Sequence, residues 1–223
     1  GADTVVYFEG SFTYAYYWDE HGNTDKPWPG IELSTAEQVT VSDRHYSTDS
    51  TVYKIVVPAE VQAKNIKFSK GTVESENYAL VEGAVYTDTG IDQDKTNAMT
   101  FLAAFDELRD ENGDICGILE DSAKYEEVMS LYNAIQDQSL VDNLKDLGAT
   151  IKEGDEYVST DVTIGETMTY LLVTRGTDVG TGAGLIGSFQ KNASDWIAIV
   201  SIAAVSVAAA GLFFFIRKKK SAK

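Results

Sequence analysis

The sequence predicts an all-β sandwich domain, followed by a small all-α helical domain and a single C-terminal transmembrane helix. Three observations predict this. Residues 1–87 carry short aromatic and β-branched runs separated by turn residues, the pattern of a sandwich. From Thr96 the apolar residues recur at three and four, the pattern of amphipathic helices. From Trp196 to Ile216 no residue is charged, and the basic block Arg217-Lys-Lys-Lys220 follows at once.

The elements follow in order. Thr4–Phe8 reads as a strand, broken by Glu9-Gly-Ser. Tyr14-Ala-Tyr-Tyr-Trp18 is a second, because aromatic side chains suit a pleated, half-buried surface. Alternate side chains share a face, so Tyr14, Tyr16 and Trp18 point one way and Ala15 and Tyr17 the other. Each buried tyrosine needs a hydrogen-bond partner, so one of these faces is expected to meet solvent. A polar loop then leads to Trp28, held between Pro27 and Pro29, which restrict the backbone on both sides. Gln38–Val41 alternates polar and apolar, residues 42–50 form a polar loop, and Val52–Val57 is a strand ended by Pro58. Ile66–Phe68 and Ala84–Tyr86 complete the sandwich.

Residues 88–95 are a polar linker and residues 96–176 the helical domain. Ala98, Leu102 and Phe105, widened by Met99, Phe101 and Leu108, mark its first helix, which Asn112-Gly113 ends. Tyr125, Val128, Met129, Tyr132 and Ile135 mark a second, capped by Asp121 or Ser122. Ser139–Leu147 is a third, ended by Gly148. Thr163-Ile-Gly-Glu166 is a capping box that opens a fourth, with Ile164, Met168, Leu171 and Leu172 turned inward. A stalk over 177–195 leads to the apolar run at 196–216. As a helix at ~1.5 Å per residue that run spans ~31 Å, the thickness of a hydrocarbon core. The basic tail, 217–223, marks the cytoplasmic side, which puts the body outside the cell. An external body requires export, so a removed signal segment is expected. The tail resembles a cell-wall sorting signal without its Leu-Pro-x-Thr-Gly motif, and reads as a membrane anchor instead.

Charge excludes one class of partner. The chain carries 35 acidic and 18 basic residues, and five of the basic ones lie in the last seven positions. The remaining 13 basic against 35 acidic residues give a formal −22, which repels nucleic-acid phosphates. One cysteine, Cys116, makes no internal disulfide and reads as a small buried residue, since His21 and His45 lie far upstream in polar sequence. There is no phosphate loop, zinc motif or cysteine pair, and the acidic loops at 19–25 and 88–94 lack the spacing of a calcium loop. No metal and no cofactor are expected.

A stiff group of exposed rings suits a flat amphipathic ligand, and a sugar ring, apolar on its C–H face with hydroxyls at its edge, has that character. The alternative is that the rings fill the core of a small β domain. Val5-Val-Tyr-Phe-Glu9, Tyr14-Ala-Tyr-Tyr-Trp-Asp19, Trp28-Pro-Gly30, Val52-Tyr-Lys-Ile-Val-Val-Pro-Ala59, Ile66-Lys-Phe68 and Ala84-Val-Tyr86 occur in that order. Over residues 4–87 this resembles the starch-binding modules of carbohydrate-binding module family 26. The resemblance implies that Tyr14, Tyr16 and Trp28 grip an α-glucan, with Trp18 on the same face as a further candidate. The family's Phe-Asn-Asp-Gly segment and Gln-Thr pair are replaced by Phe68-Ser-Lys-Gly71 and Thr-Val-Glu-Ser-Glu-Asn77, so the polar contacts to sugar differ. The expectation is a non-catalytic, cell-surface protein binding starch or maltooligosaccharides. The rival reading is a membrane-tethered scaffold with a degenerate sugar-binding module, its helical domain meeting a protein partner. An acid/base glycosidase needs a deep cleft that such a small sandwich does not offer.

Overall fold

The computed structural model describes residues 1–39, 44–108, 122–148, 150–153, 156–159 and 161–178. They divide between two compact units, residues 1–105 with 127–140, and residues 106–126 with 141–223.

In the first unit, β1 (Thr4–Phe8), β2 (Tyr14–Trp18), β3 (Ile31–Glu32), β4 (Glu37–Val39), β5 (Val52–Val57) and β6 (Asn65–Lys70) are followed by β7 (Val73–Glu74), β8 (Tyr78–Ala79), β9 (Val85–Thr87) and β10 (Gly90–Ile91). One sheet runs β10-β9-β1-β5-β4, and the other β3-β2-β6-β7 with β8 also on β6. The first sheet is mixed, because β1 pairs with β9 in parallel and with β5 antiparallel. In the second sheet every pair is antiparallel.

The two sheets share one core. Val6, Phe8, Ile55, Val57, Ala84 and Tyr86 of the first meet Ala15, Tyr17, Ile66 and Phe68 of the second. Phe68 stacks on Phe8 with centroids 4.3 Å apart, and meets Tyr86 at 5.6 Å. Such pairs add about 0.5–1.5 kcal/mol each beyond area burial. The Tyr86 hydroxyl donates to the Ala79 carbonyl and accepts the Val81 N–H at 3.0 Å, so a fully buried phenol keeps its polar end satisfied.

α1 (Gln93–Phe105) belongs to the same unit and buries Ala98, Phe101, Leu102 and Phe105. Asp92 caps it by accepting the Lys95 N–H at 3.0 Å. Thr96 Oγ1 accepts the Val85 N–H at 3.0 Å, which ties the helix to β9. A buried network joins β1's end to this helix. Glu9, 9% exposed, accepts the Tyr46 hydroxyl, the Thr48 hydroxyl at 2.8 Å and Lys95 Nζ at 3.2 Å.

That network makes stability depend on pH. Burial alone would raise the Glu9 carboxyl, but Tyr46, Thr48 and Lys95 outweigh it and hold it below the ordinary value. Burial, with Glu9 beside it, pushes the Tyr46 phenol up. The Glu9 contribution is therefore present above the usual carboxylate range and lost as pH falls through its lowered value. The Tyr46 contribution is present below the free phenol's ~10 and lost as pH rises above it. Glu9→Gln is expected to cost about 1.5–3 kcal/mol at neutral pH, the range for hydrogen bonds to a charged group. It should also flatten the acid limb of a urea-midpoint-against-pH curve; an unchanged limb would refute the assignment.

After α2 (Ser122–Asn133) and the short α3 (Ser139–Asp142), the second unit holds the hairpin β11 (Thr150–Glu153) and β12 (Glu156–Ser159), then α4 (Ile164–Asp178). The Thr163 capping box forms: Thr163 N donates to Glu166 Oε2 at 2.8 Å and Glu166 N to Thr163 Oγ1 at 3.3 Å. Ile164, Met168 and Leu171 are buried, whereas Leu172, expected inward, is 57% exposed.

The fold class expected from sequence is thus corrected. The first unit is not an all-β domain, because α1 belongs to it and buries Ala98, Phe101, Leu102 and Phe105. The following region is not all-α, because β11 and β12 pair antiparallel along it, Thr150 with Ser159 through Glu153 with Glu156. The C-terminal transmembrane helix is not supported. No helix of the described residues is long and apolar enough to cross a membrane; residues 177 and 178 of the expected stalk belong to α4, and residues 179–223, with Cys116, lie outside the described residues.

Candidate functional site

The register of β2 decides which rings face outward. Ala15 pairs with Phe68 and Tyr17 with Ile66, and all four side chains enter the core. Tyr14, Tyr16 and Trp18 are therefore on the outer face, opposite Ser69, Lys67 and Asn65. Each of the three rings is half-buried. Tyr17 is the ring turned inward; burial, and the Asp25 carboxylate beside its hydroxyl, push that phenol well above its ordinary value.

Trp28 joins them from the loop between β2 and β3. It is 47% exposed, and its ring stands edge-on to Tyr16 at 5.4 Å and 74°. Tyr16 stacks with Trp18 at 5.4 Å and 25°. The three rings form one patch with Tyr16 at its centre, in contact with both of the others. Tyr14 shares the strand face but has no ring neighbour among the described residues; its cross-strand partners are Ser69 and Glu32. Of the four candidates, the structure brings Tyr16, Trp18 and Trp28 together and leaves Tyr14 at the margin.

Gly30 places the loop. Its N–H donates to the Pro27 carbonyl at 2.8 Å, closing a turn around Trp28-Pro29, whose peptide bond is cis. At φ +92° it passes directly over β2, where a Cβ would lie 2.1 Å from the Ala15 carbonyl oxygen. Only glycine fits there.

Polar groups flank the rings, and sequence reasoning did not find them. Lys67 lies across from Tyr16 and pairs with Glu74 of β7 at 2.6 Å, so its charge is compensated on the outer face. Asn65 lies across from Trp18. Ser75, in the segment that departs from the starch-binding pattern, accepts the Phe68 N–H at 2.9 Å and donates to the Glu76 carbonyl, a structural role. Beyond the Trp18 end is an open cleft of about 370 Å³, lined in part by Asp19, His21, Gln62 and Lys64. No cluster among the described residues has the makeup of a metal site.

Compared with known proteins, the chain matches no family model, no curated protein and no solved structure.

Proposed function

We infer that the chain is a non-catalytic α-glucan-binding protein of the cell surface, and that the outer face of β2 is its site. The observation that carries this reading is the contiguous patch of Trp18, Tyr16 and Trp28 outside the core, with the inward face of the same strand already occupied by Ala15 and Tyr17. Removing the C–H faces of glucose units from water onto such rings drives binding. Lys67, Glu74 and Asn65 offer hydrogen bonds to the hydroxyl edge. A ligand covering three rings buries little area against the cost of association, so an affinity between about micromolar and millimolar per site is expected. Adhesion then comes from many copies on one cell meeting one polymer.

Electrophoresis of the full chain through native gels with and without amylopectin tests the reading. Retarded migration in the polysaccharide gel, with no new reducing ends after incubation, is the expected result. Equal migration in both gels would reject glucan binding and favour the scaffold role; new reducing ends would reject the non-catalytic reading.

A further inference from the structure

Between Trp18 and Gly30 the chain leaves the sheet, and residues 20–23 and 25–28 are exposed. Such a segment takes one path only if local hydrogen bonds replace core contacts. Asp19 is the hub of those bonds. Its Oδ1 accepts the His21 N–H at 2.8 Å and the Asn23 N–H at 2.7 Å, and its Oδ2 accepts Asn23 Nδ2 at 2.8 Å. The Asp19 backbone closes the same turn, its N–H donating to the Asn23 carbonyl at 2.9 Å and its carbonyl accepting the Gly22 N–H at 3.2 Å. Thr24 Oγ1 then accepts the Lys26 N–H at 3.2 Å and donates to the Lys26 carbonyl at 3.1 Å. The Pro27–Gly30 turn follows, and Trp28 arrives edge-on to Tyr16. Three closed turns in series thus connect the end of β2 to the exposed ring.

We propose that Asp19 is a positioning residue for the ring patch: it fixes the path of the loop, so that Trp28 stands against Tyr16 before any ligand arrives. Both of its oxygens are engaged by the loop itself, and it acts through Trp28. The functional consequence rests on the glucan reading above; the geometric one does not. Pre-ordering matters because a ligand that must order the loop loses that free energy from its affinity. Asn23's side chain, ahead of the backbone donors, holds the Asp19 carboxyl below its ordinary value, so the turn keeps its charged acceptor at neutral pH.

The test uses the full chain labelled with 5-fluorotryptophan, the Trp28 resonance being assigned by its loss in Trp28→Phe. Wild type, Asp19→Ala and Asp19→Asn are compared first without ligand and then in titrations with maltoheptaose. Asp19→Ala is expected to shift and broaden the Trp28 resonance in the free protein and to weaken maltoheptaose binding about five- to tenfold. The urea midpoint should stay near that of wild type, because the turn lies outside the core. Asp19→Asn keeps an oxygen for both backbone N–H groups and should restore most of both readouts. An unchanged Trp28 resonance in Asp19→Ala overturns the proposal, as does a changed resonance with unchanged sugar affinity. A wild type that binds no maltoheptaose overturns the glucan reading instead, and the resonance alone then decides the positioning role.

Discussion

Tyr16→Ala is expected to cut retention on insoluble starch sharply, and Trp28→Ala to do the same, while Tyr14→Ala keeps most of it. Tyr16 contacts both other rings of the patch, so its loss separates Trp18 from Trp28 as well as removing one platform. Burying a large apolar side chain contributes about 1.5–3 kcal/mol, so losing one covered ring weakens binding by roughly tenfold to a hundredfold. From a starting affinity between about micromolar and millimolar, that loss leaves a dissociation constant of roughly ten micromolar to a hundred millimolar, and retention falls with it. Tyr14, at the margin and without a ring neighbour among the described residues, should cost about threefold by the same reckoning. Tyr14→Ala and Trp28→Ala should keep unfolding free energies within about 1.5 kcal/mol of wild type, whereas Tyr16→Ala, half-buried and losing two ring contacts, is expected to cost about 1–3 kcal/mol, so its binding is measured where the variant is folded. Full retention in Tyr16→Ala, with Tyr14→Ala losing it, would move the site off this patch.

Gly30→Ala is expected to remove binding by a different route, through the fold. The left-handed region costs a non-glycine residue about 1–2 kcal/mol. The added Cβ would also lie 2.1 Å from the Ala15 carbonyl oxygen and 2.9 Å from the Tyr16 Cα, both backbone atoms of β2. Backbone atoms of a central strand have no room to yield, because Ala15 is fully buried against Phe68 on the other side of the pairing. The chain at Gly30 must lift instead, and the Ala15–Ile31 pairing and the Trp28 position go with it. The expected result is a loss of more than about 2 kcal/mol in a urea melt, together with loss of starch retention. A variant of wild-type stability and wild-type binding would show that the loop does not cross β2 this closely. Gly71→Ala serves as the control: its φ is +61°, but a Cβ there meets nothing within 4 Å.

Much of the first unit was legible in the sequence. Thr4–Phe8, Tyr14–Trp18 and Val52–Val57 read as strands and are strands, because runs of β-branched and aromatic residues bounded by turn residues have few other local solutions. The capping box at Thr163 was legible because its reciprocal bonds involve residues three apart. Less legible were β3, β7, β8 and β10, each two residues long. Such strands carry no period and exist only because a neighbouring strand supplies their partners. The hairpin β11–β12 was passed over because its strands hold only three large apolar residues, Ile151 and the adjacent Tyr157 and Val158, which show no period of two. Leu172 fits the apolar stripe of α4 and yet is exposed, since a stripe says which face is apolar and not how wide the covering surface is.

The sequence by itself determined that Tyr14, Tyr16 and Trp18 share a face, that Trp28 sits on a loop stiffened by prolines, and that the body is acidic. Each of these follows from covalent spacing or composition, which no packing can alter. Tertiary structure alone decided that this shared face is the outer one, that Tyr16 rather than Tyr14 is the centre, and that Lys67, Glu74 and Asn65 lie beside the rings. A strand's two faces are equivalent until a second sheet covers one of them, and here Val6, Phe8, Ile55 and Val57 of the other sheet made that choice by covering the side that carries Ala15 and Tyr17.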